Sequence, residues 1–401
     1  SWYTAAGGNG VSIASQVAAF VLLLVWTCLA IEAMRGRRGL PRLMHPRPRG
    51  RRPRVSVIVP ARNEAAMLPR SLPSLLAQTY PDLEIIVLDD RSMDSTPALL
   101  AAFRSPRLQV VRIDSLPPGW LGKTHALHVG SRRARGEWLL FTDADVVFQP
   151  GCLEAAIAYA DERGADHLVL IPHTETVGFW ETTIIGAFSL LFGLALRPWR
   201  AARPRSGAFI GIGAFNLIRR TAYEQVGTHE ALAMAVVDDL ELGRLVKRAG
   251  LRQAVARGDA WLSVRWQIGL RGVIEGLEKN AFAALGYSLP RVGLACLALA
   301  GLFLAPWAAL ALGQSGLWAA AALLPLAVQV VHARDAGLPL WSALGQPAAI
   351  VVLLYAIVRS AILARLRGHV FWRGTAYPLS ELRPAKMSVF PIRVDIRDSS
   401  R

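Results

Sequence analysis

The chain has 401 residues, of which 53% are hydrophobic, and its 45 basic and 29 acidic side chains give a formal net charge of +16. This length accommodates a soluble domain of roughly 200 to 250 residues together with membrane segments. The three cysteines, Cys28, Cys152 and Cys296, lack metal-ligand spacing, which excludes a cysteine metal motif and agrees with a reducing compartment.

The N-terminal segment is apolar. Residues 11–34 carry no charge before Glu32, and at ~1.5 Å per residue a helix of this length crosses a hydrocarbon core of ~30 Å. A cleaved signal peptide is the alternative, but the apolar run is long and has no clear small-residue cleavage site. We therefore expect a transmembrane anchor over residues 1–34.

A basic juxtamembrane linker follows at residues 35–54, with nine arginines and no acid. Such a run is typical of a solvated linker, a nucleic-acid contact or a patch that binds anionic lipid headgroups. Its position beside a membrane span argues against nucleic acid as a partner. By the positive-inside rule, the domain that follows should face the cytoplasm.

An α/β pattern begins at Val55. Four apolar runs are expected to form strands separated by helices, at residues 55–60, 83–90, 108–113 and 136–145. Strands that are apolar on both faces predict a mostly parallel sheet, whose ligand site lies at the carboxyl ends of the strands. The acids Asp89, Asp90, Asp143 and Asp145 stand at such ends, so they should converge on one crevice.

An apolar run at residues 178–199 interrupts the composition typical of a soluble domain. It could form a membrane span, a core helix or an interfacial helix. We expect an interfacial helix, because a span here would split the soluble domain, residues 55–265, across the bilayer. A second interfacial helix is expected over residues 266–290, with Lys279 at its polar edge.

The C-terminal part is expected to hold a membrane region of two or three spans at residues 291–364 and a basic tail at 365–401. Three full spans would place this tail outside, whereas the positive-inside rule places it inside. One of the apolar segments is therefore expected to be re-entrant or interfacial, and the sequence does not say which.

The pair Asp143 and Asp145 ends the fourth strand. Two carboxylates one residue apart suit Mg²⁺ or Mn²⁺, hard cations that take oxygen ligands and bridge to substrate phosphates. A lone Asp-x-Asp also occurs on solvated loops, so its meaning depends on the rest of the crevice.

The segments "VSVIVPARNE", "LEIIVLDDRS", "GWLGKTHAL", "GEWLLFTDADVVF" and "VVDDLELGRLVKRAG" together resemble glycosyltransferase family 2, over about residues 55–287. The resemblance is strongest to membrane-anchored members that glycosylate lipids, such as ceramide glucosyltransferases and hopanoid- or carotenoid-associated enzymes. It implies that residues 55–265 form a catalytic domain with a Rossmann-like GT-A fold. It also implies inverting transfer of a sugar from a nucleotide donor, expected to be UDP-linked, to a hydroxyl of a membrane lipid.

The resemblance also implies residue roles on the donor side. Asp90 would accept from the uracil N3–H, with Asp89 supporting its loop, and Lys123 would neutralise the diphosphate, a surface lysine being the alternative. Asp143 would face the ribose or donor sugar, and Asp145 would bind the metal. The nucleotide would also contact the first strand-to-helix loop, formed by Pro60, Ala61, Arg62, Asn63 and Glu64.

On the acceptor side, Asp239 matches the general base of the family and Asp238 is the second choice. The glycines Gly211 and Gly213 would allow close approach of backbone to substrate. Both aspartates could instead be helix caps.

The sequence departs from processive members of the family at "LSVRW", which keeps Arg265 and Trp266 but has Leu262 where those members carry glutamine or arginine. Arg265 would bind the diphosphate and Trp266 the acceptor or lipid, or the two would form an interfacial anchor. The departure argues against a polysaccharide synthase, and the intact acids argue against a silent scaffold. The sugar, the lipid and the oligomeric state remain open.

Overall fold

The computed structural model describes residues 12–45, 51–314 and 316–382. The part of the basic linker at 46–50 and the tail from residue 383 lie outside the described residues. The α-helices are α1 (Ile13–Gly39), α2 (Leu68–Leu76), α3 (Thr96–Ala102), α4 (Gly122–Arg133), α5 (Cys152–Glu162), α6 (Gly178–Leu196), α7 (Arg220–Gln225), α8 (Asp238–Arg248), α9 (Gly269–Ala284), α10 (Leu289–Leu299), α11 (Ala305–Ala311), α12 (Leu317–Ala336) and α13 (Gln346–Arg367).

The β-strands are β1 (Val55–Ala61), β2 (Leu83–Asp90), β3 (Leu108–Ile113), β4 (Trp138–Phe141), β5 (Val147–Phe148), β6 (His167–Ile171), β7 (His173–Thr174), β8 (Asn216–Arg219), β9 (Gln253–Arg257), β10 (Leu262–Val264), β11 (His369–Trp372) and β12 (Thr375–Pro378). The four strands predicted from apolar runs are therefore present as β1 to β4.

A seven-stranded sheet forms the centre of the catalytic domain, in the order β3-β2-β1-β4-β8-β6-β9. Its pairings are parallel except for β8, which runs antiparallel to both β4 and β6. Buried apolar side chains cover both faces of the sheet, and helices lie over them. The prediction of a mostly parallel α/β fold is confirmed, and β1 and β4 are central strands.

Five helical segments are long and apolar enough to cross a membrane, judged by length and composition over the described residues. They are α1, residues 178–200, residues 289–311, α12 and α13. A π-helical turn at Ala300–Leu304 joins α10 to α11, so these form one continuous segment. Apolar helices thus lie near both termini, as predicted.

Helices α1 and α12 lie side by side and run in the same direction. At one end the Ser15 hydroxyl accepts from Trp318 Nε1 at 2.9 Å, and at the other Arg37 pairs with Asp335 at 2.6 Å. Arg257 of β9 donates to the carbonyl of Asp335, so the C-terminal ends of both helices lie beside the catalytic domain.

Helix α6 contacts the catalytic domain at both ends. Glu181 in its first turn pairs with Arg265 at 3.0 Å, and just beyond its last turn the carbonyl of Ala201 accepts from Lys247 of α8 at 2.7 Å. The chain therefore leaves and re-enters the same domain through α6.

Helix α13 also has both ends near the catalytic domain. Its N-terminal Gly345 packs against Phe179 and Thr183 of α6, close to Glu181. Its C-terminal end leads into the β11–β12 hairpin, where Arg373 pairs with Glu64 at 2.5 Å. Along its length α13 packs on α9.

Candidate active site

The carboxyl edge of the sheet collects four acids and one lysine. Asp143 and Asp145 follow β4, and Asp238 and Asp239 form the first turn of α8. Lys123, in the first turn of α4, lies between these pairs, with Nζ 2.8 Å from Asp143 Oδ1 and 3.6 Å from Asp238 Oδ1. Sequence reasoning predicted that these residues share a crevice, and the structure brings them together.

A small cavity opens at this point, and its lining includes Lys123, Asp143, Asp238 and Asp239. His229 forms another part of the wall, held by a 2.7 Å hydrogen bond between its Nδ1 and the Tyr223 hydroxyl. His229 was not predicted from the sequence, because a lone histidine in the "THEAL" segment carries no motif.

The charges in the crevice depend on one another. Burial opposes the charge of Lys123, but Asp143 and Asp238 outweigh burial and raise its pKa above the ordinary value. Burial alone would raise the pKa of Asp143, yet the nearby Lys123 lowers it below its ordinary value. Lys123 therefore keeps Asp143 ionised in a place where two acids would otherwise repel each other.

Asp238 and Asp145 behave differently from Asp143. Burial is the largest cause for both; it acts with Asp239 and Asp143 to raise the pKa of Asp238 to about 7, although Lys123 opposes this shift. Burial, Asp143 and Glu64 raise the pKa of Asp145 to about 7.

The Asp239 carboxylate is oriented by backbone donors. Its Oδ2 accepts from the amide of Gly213 at 2.7 Å and its Oδ1 from the amide of Leu240 at 2.8 Å. Burial raises the pKa of Asp239, and Lys123 acts in the opposite direction. Asp239 forms no ion pair within the described part of the chain, and it is more exposed than Asp238.

Gly211 and Gly213 lie against the aspartates of the crevice. A side chain at Gly213 would collide with the Asp143 carboxylate, and one at Gly211 with the backbone of Asp239. These positions require glycine because the chain packs closely against both aspartates. The close approach of this backbone to substrate stays a prediction.

The pair Asp143 and Asp145 can contribute carboxylate ligands to a divalent cation. No other described residue forms a hydrogen bond or an ion pair with the Asp145 carboxylate. Two acids, Asp143 and Glu64, lie close to it. The described residues contain no group of three or more histidine, cysteine or acidic ligands, so the protein would supply two carboxylates and leave other positions to phosphate or water. The residues present fit Mg²⁺ or Mn²⁺.

The first strand-to-helix loop, residues 60–64, adjoins the crevice as predicted. Asn63 has a positive φ of 55°, and its Oδ1 accepts from the amide of Met93 at 2.8 Å, which joins this loop to the one after β2. Arg62 Nη1 lies 3.6 Å from Asp90, while Arg62 Nε is buried with no hydrogen-bond partner. An anionic ligand in this loop would find an unpartnered donor.

The two acids that end β2 differ in their contacts. Asp89 accepts from the amide of Ser92 at 3.2 Å and from Arg112 at 2.6 Å, which supports the loop. Asp90 is buried, and both of its oxygens accept from Arg91, at 2.7 and 3.0 Å. A nucleotide base that formed a hydrogen bond with Asp90 would therefore share this carboxylate with the Arg91 guanidinium or displace the guanidinium.

Arg265 and Trp266 make their contacts elsewhere. Arg265 donates to both carboxylate oxygens of Glu181 at 3.0 Å, and the Trp266 ring stacks on Phe188 of α6 with centroids 4.8 Å apart. The structure does not place either side chain among the carboxylates of the crevice. Both residues therefore fasten α6 to the rest of the domain, and their expected roles as a diphosphate ligand or an interfacial anchor stay predictions.

The C-terminal hairpin reaches the crevice from the other side. Arg373 at its turn pairs with Glu64 and donates to the carbonyl of Arg62, and the Tyr377 hydroxyl accepts from the amide of Gly122 at 3.2 Å. This hairpin corresponds to the aromatic and basic segment "FWRGTAY", residues 371–377, whose pattern does not identify the residues it contacts.

A mostly parallel sheet with acids and helix N-termini gathered at its carboxyl edge defines the class of α/β enzymes that bind nucleotides there. Residues 56–227 match the model described as glycosyl transferase family 2. The chain thus contains a glycosyltransferase family 2 domain, and the family predicted from its motifs is confirmed.

Two curated relatives are named 4,4'-diaponeurosporenoate glycosyltransferase. The protein of Staphylococcus haemolyticus (strain JCSC1435) is 27% identical over 241 residues, 59% of this chain and 64% of the relative. That of Staphylococcus aureus (strain MRSA252) is 27% identical over 248 residues, 59% of this chain and 63% of the relative. The similarity therefore spans less than two thirds of these relatives.

Solved structures are similar at lower identity. The mannosyltransferase PcManGT from Pyrobaculum calidifontis, in complex with GDP-Man and Mn²⁺, is 21% identical, with 87% of this chain and 98% of that chain covered and a TM-score of 0.47. Staphylococcus aureus TarS 1-349 in complex with UDP is 17% identical, with coverage of 80% and 95% and a TM-score of 0.37. These scores are too low to carry the ligands of either protein to this chain.

Proposed function

We propose that this protein transfers a single sugar from a nucleotide donor, UDP-linked, to a hydroxyl of a membrane lipid, with inversion at the anomeric carbon. The observation that carries the proposal is the convergence of Asp143, Asp145, Lys123 and Asp239 in a glycosyltransferase domain that packs against apolar helices. The carotenoid acid in the names of the two relatives supports a lipid-related acceptor.

The donor occupies the edge formed by the β1–α2 loop, β2 and β4 in this proposal. The base lies towards Asp90, and Asp143 orients the ribose or sugar. A Mg²⁺ or Mn²⁺ ion held by Asp145 and Asp143 would supply positive charge against the departing diphosphate. Arg62, with its buried unpartnered Nε, is a further donor for the nucleotide.

Asp239 takes the proton of the acceptor hydroxyl. Its raised pKa suits a general base, and its two backbone hydrogen bonds fix the carboxylate while lone pairs remain free. The acceptor oxygen then bonds to the anomeric carbon as the bond to the diphosphate oxygen breaks on the opposite face, which inverts the configuration. Asp238 is less suited to this role because it is buried beside Lys123.

Single transfer is favoured over polymer synthesis. The processive motif is altered at Leu262, and its remaining Arg265 and Trp266 are engaged by Glu181 and Phe188. No described contact places these residues where they would hold a growing chain beside the acids.

We further propose that α1, α10–α11 and α12 span the membrane and that α6, α9 and α13 lie in the interface. Both ends of α6 and of α13 contact the catalytic domain, which supports an interfacial position for each. Three spans then put the domain and the basic tail on the same, cytoplasmic side, and this removes the conflict with the positive-inside rule.

Fusion reporters test this topology. Alkaline phosphatase fused after Gln314 should be active, since the turn between α11 and α12 would lie outside, and green fluorescent protein fused after Arg401 should fluoresce inside. A C-terminal fusion that reports the outer side would contradict the interfacial assignment of α13.

The function itself is tested by incubating membranes with a panel of labelled nucleotide sugars and analysing the lipid extract by mass spectrometry. A discrete labelled glycolipid is expected, and its formation should fall about 100- to 10,000-fold in Asp239→Asn, the range for loss of a general base. A labelled insoluble polymer would instead indicate polysaccharide synthesis. If no donor gives a labelled product, the result would favour the alternative that the protein is a catalytically silent scaffold.

A further inference from the structure

Lys279 of α9 is a second lysine close to the crevice. Our expectation from the sequence placed it at the polar edge of an interfacial helix, but in the structure it is half-buried, and its ammonium lies 4.1 Å from the centroid of the Trp372 ring in the C-terminal hairpin. No ion pair of Lys279 exists among the residues that the structure describes. The side chain is thus held in place by an aromatic face and retains an uncompensated charge.

The C-terminal half of α9 places Lys279 beside the catalytic residues. One turn further along, Phe282 packs in the same apolar cluster as Leu121 and Val236. Leu121 precedes α4, which carries Lys123, and Val236 precedes the aspartate pair that begins α8. Lys279 is therefore on a helix that packs beside the segments that carry Lys123 and Asp238.

Three cations meet in this region, and only two have acidic partners. Lys123 is paired with Asp143 at 2.8 Å, and Arg373 is paired with Glu64 at 2.5 Å. Burial, followed by the charges of Lys123 and Arg373, lowers the pKa of Lys279 to about 8, although Asp143 and Asp238 act in the opposite sense. An anion bound near Lys279 would relieve this crowding of positive charge.

We propose that Lys279 binds the diphosphate of the nucleotide donor and that Trp372 is the positioning residue that holds its ammonium in the crevice. This inference rests on the proposed function, because the diphosphate is the anion that the transfer reaction brings to this site. A lysine suits the task, since a compact ammonium can follow the charge that grows on the leaving group.

The proposal also gives the hairpin a function. Trp372 contacts Lys279, Arg373 contacts Glu64, and Tyr377 contacts Gly122, so β11–β12 joins α9 to two loops of the donor edge. The segment that follows the last apolar helix thereby contacts residues 255 and 309 positions earlier in the chain.

The test measures nucleotide binding by the full chain in detergent or nanodiscs, with UDP and GDP, the corresponding monophosphates and the free nucleosides as probes. Lys279→Gln should weaken binding of the diphosphate about tenfold and of the nucleoside not at all. Lys279→Arg should restore most of the affinity, and Trp372→Leu should weaken diphosphate binding more than Trp372→Phe. Arg271→Gln is the matched control, because it removes a cation from the exposed face of the same helix.

The outcomes separate this inference from the proposed function. Equal diphosphate affinity in Lys279→Gln and in the unsubstituted protein overturns the inference, and a raised KM for the lipid acceptor alone would place Lys279 on the acceptor side instead. If the unsubstituted protein binds neither UDP nor GDP, the proposed function fails first. Equal weakening of the diphosphate and the nucleoside would indicate a general structural defect and also contradict the proposal.

Discussion

Lys123 Nζ lies 2.8 Å from Asp143 Oδ1 and thereby joins the acid pair after β4 to the acid pair that begins α8. Its role in neutralising the diphosphate, which the family resemblance implies, stays a prediction. In the described structure, Lys123 is the cation that allows acids from two elements to occupy one crevice.

Lys123→Gln should therefore reduce both stability and activity. Removing Lys123 leaves the buried Asp238 and the partly exposed Asp143 without their cation, at a cost of roughly 1 to 3 kcal/mol in the free energy of unfolding. The transfer rate should fall about 100-fold, as for loss of a charged group that orders an active site. Thermal unfolding and turnover measured on the same preparation check this, with Lys123→Arg as the variant that keeps the charge. Unchanged stability would mean that the pairing with Asp143 is not structural.

Asp145→Asn should reduce affinity for a divalent cation while leaving the fold intact. The asparagine side chain has the same shape as aspartate but is uncharged, and its carbonyl oxygen is a weaker ligand than a carboxylate. The affinity for Mn²⁺, measured by electron paramagnetic resonance, should therefore fall at least about tenfold. A chelator should abolish transfer, and added Mg²⁺ or Mn²⁺ should restore it. Asp114→Asn, an exposed acid just after β3, is the matched control. Full Mn²⁺ affinity in Asp145→Asn would exclude this carboxylate as a ligand.

Arg265→Gln should affect stability more than donor binding. Glu181 is only 1% exposed and would lose both of its guanidinium hydrogen bonds, which costs roughly 3 kcal/mol when a buried partner remains charged. Nucleotide affinity should stay within about twofold of the unsubstituted protein, because no described contact links Arg265 to the crevice. A tenfold loss of UDP affinity at unchanged thermal stability would support the diphosphate role instead.

His167 should make the stability of the sheet depend on pH. It is buried in β6, where Nε2 donates to Asn216 Oδ1 at 3.0 Å and Nδ1 accepts from Gln253 Nε2 at 2.8 Å, a pattern that only the neutral ring can make. Burial lowers the pKa of His167 to about 4, although the Asn216 bond opposes this. Because the folded pKa lies below the unfolded value of about 6.5, this contribution is present above pH 6.5 and is lost as pH falls towards 4.

The corresponding loss is about 2 kcal/mol between pH 7 and pH 5. Denaturant midpoints across this range should therefore fall more steeply for the unsubstituted protein than for His167→Gln. Parallel slopes for the two proteins would show that His167 is not buried in the neutral form.

Several parts of the fold and of the site follow from local sequence. The strands β1, β2 and β4 are largely apolar on both faces, which predicts a covered parallel sheet, and Asp143 and Asp145 follow β4 closely. Asp238 and Asp239 begin an amphipathic helix with a charged first turn. Because parallel strands present their carboxyl ends at one edge, the chain order alone brings these acids together.

Other relationships depended on packing between distant segments. Arg265 pairs with Glu181, 84 positions away, and Tyr377 meets Gly122 across 255 positions. Lys279 is half-buried because α9 packs on α13 and because Trp372 supplies a surface for its ammonium. Sequence patterns fix which face of a helix is apolar, but a charge takes its partner from whichever element the tertiary structure places beside it.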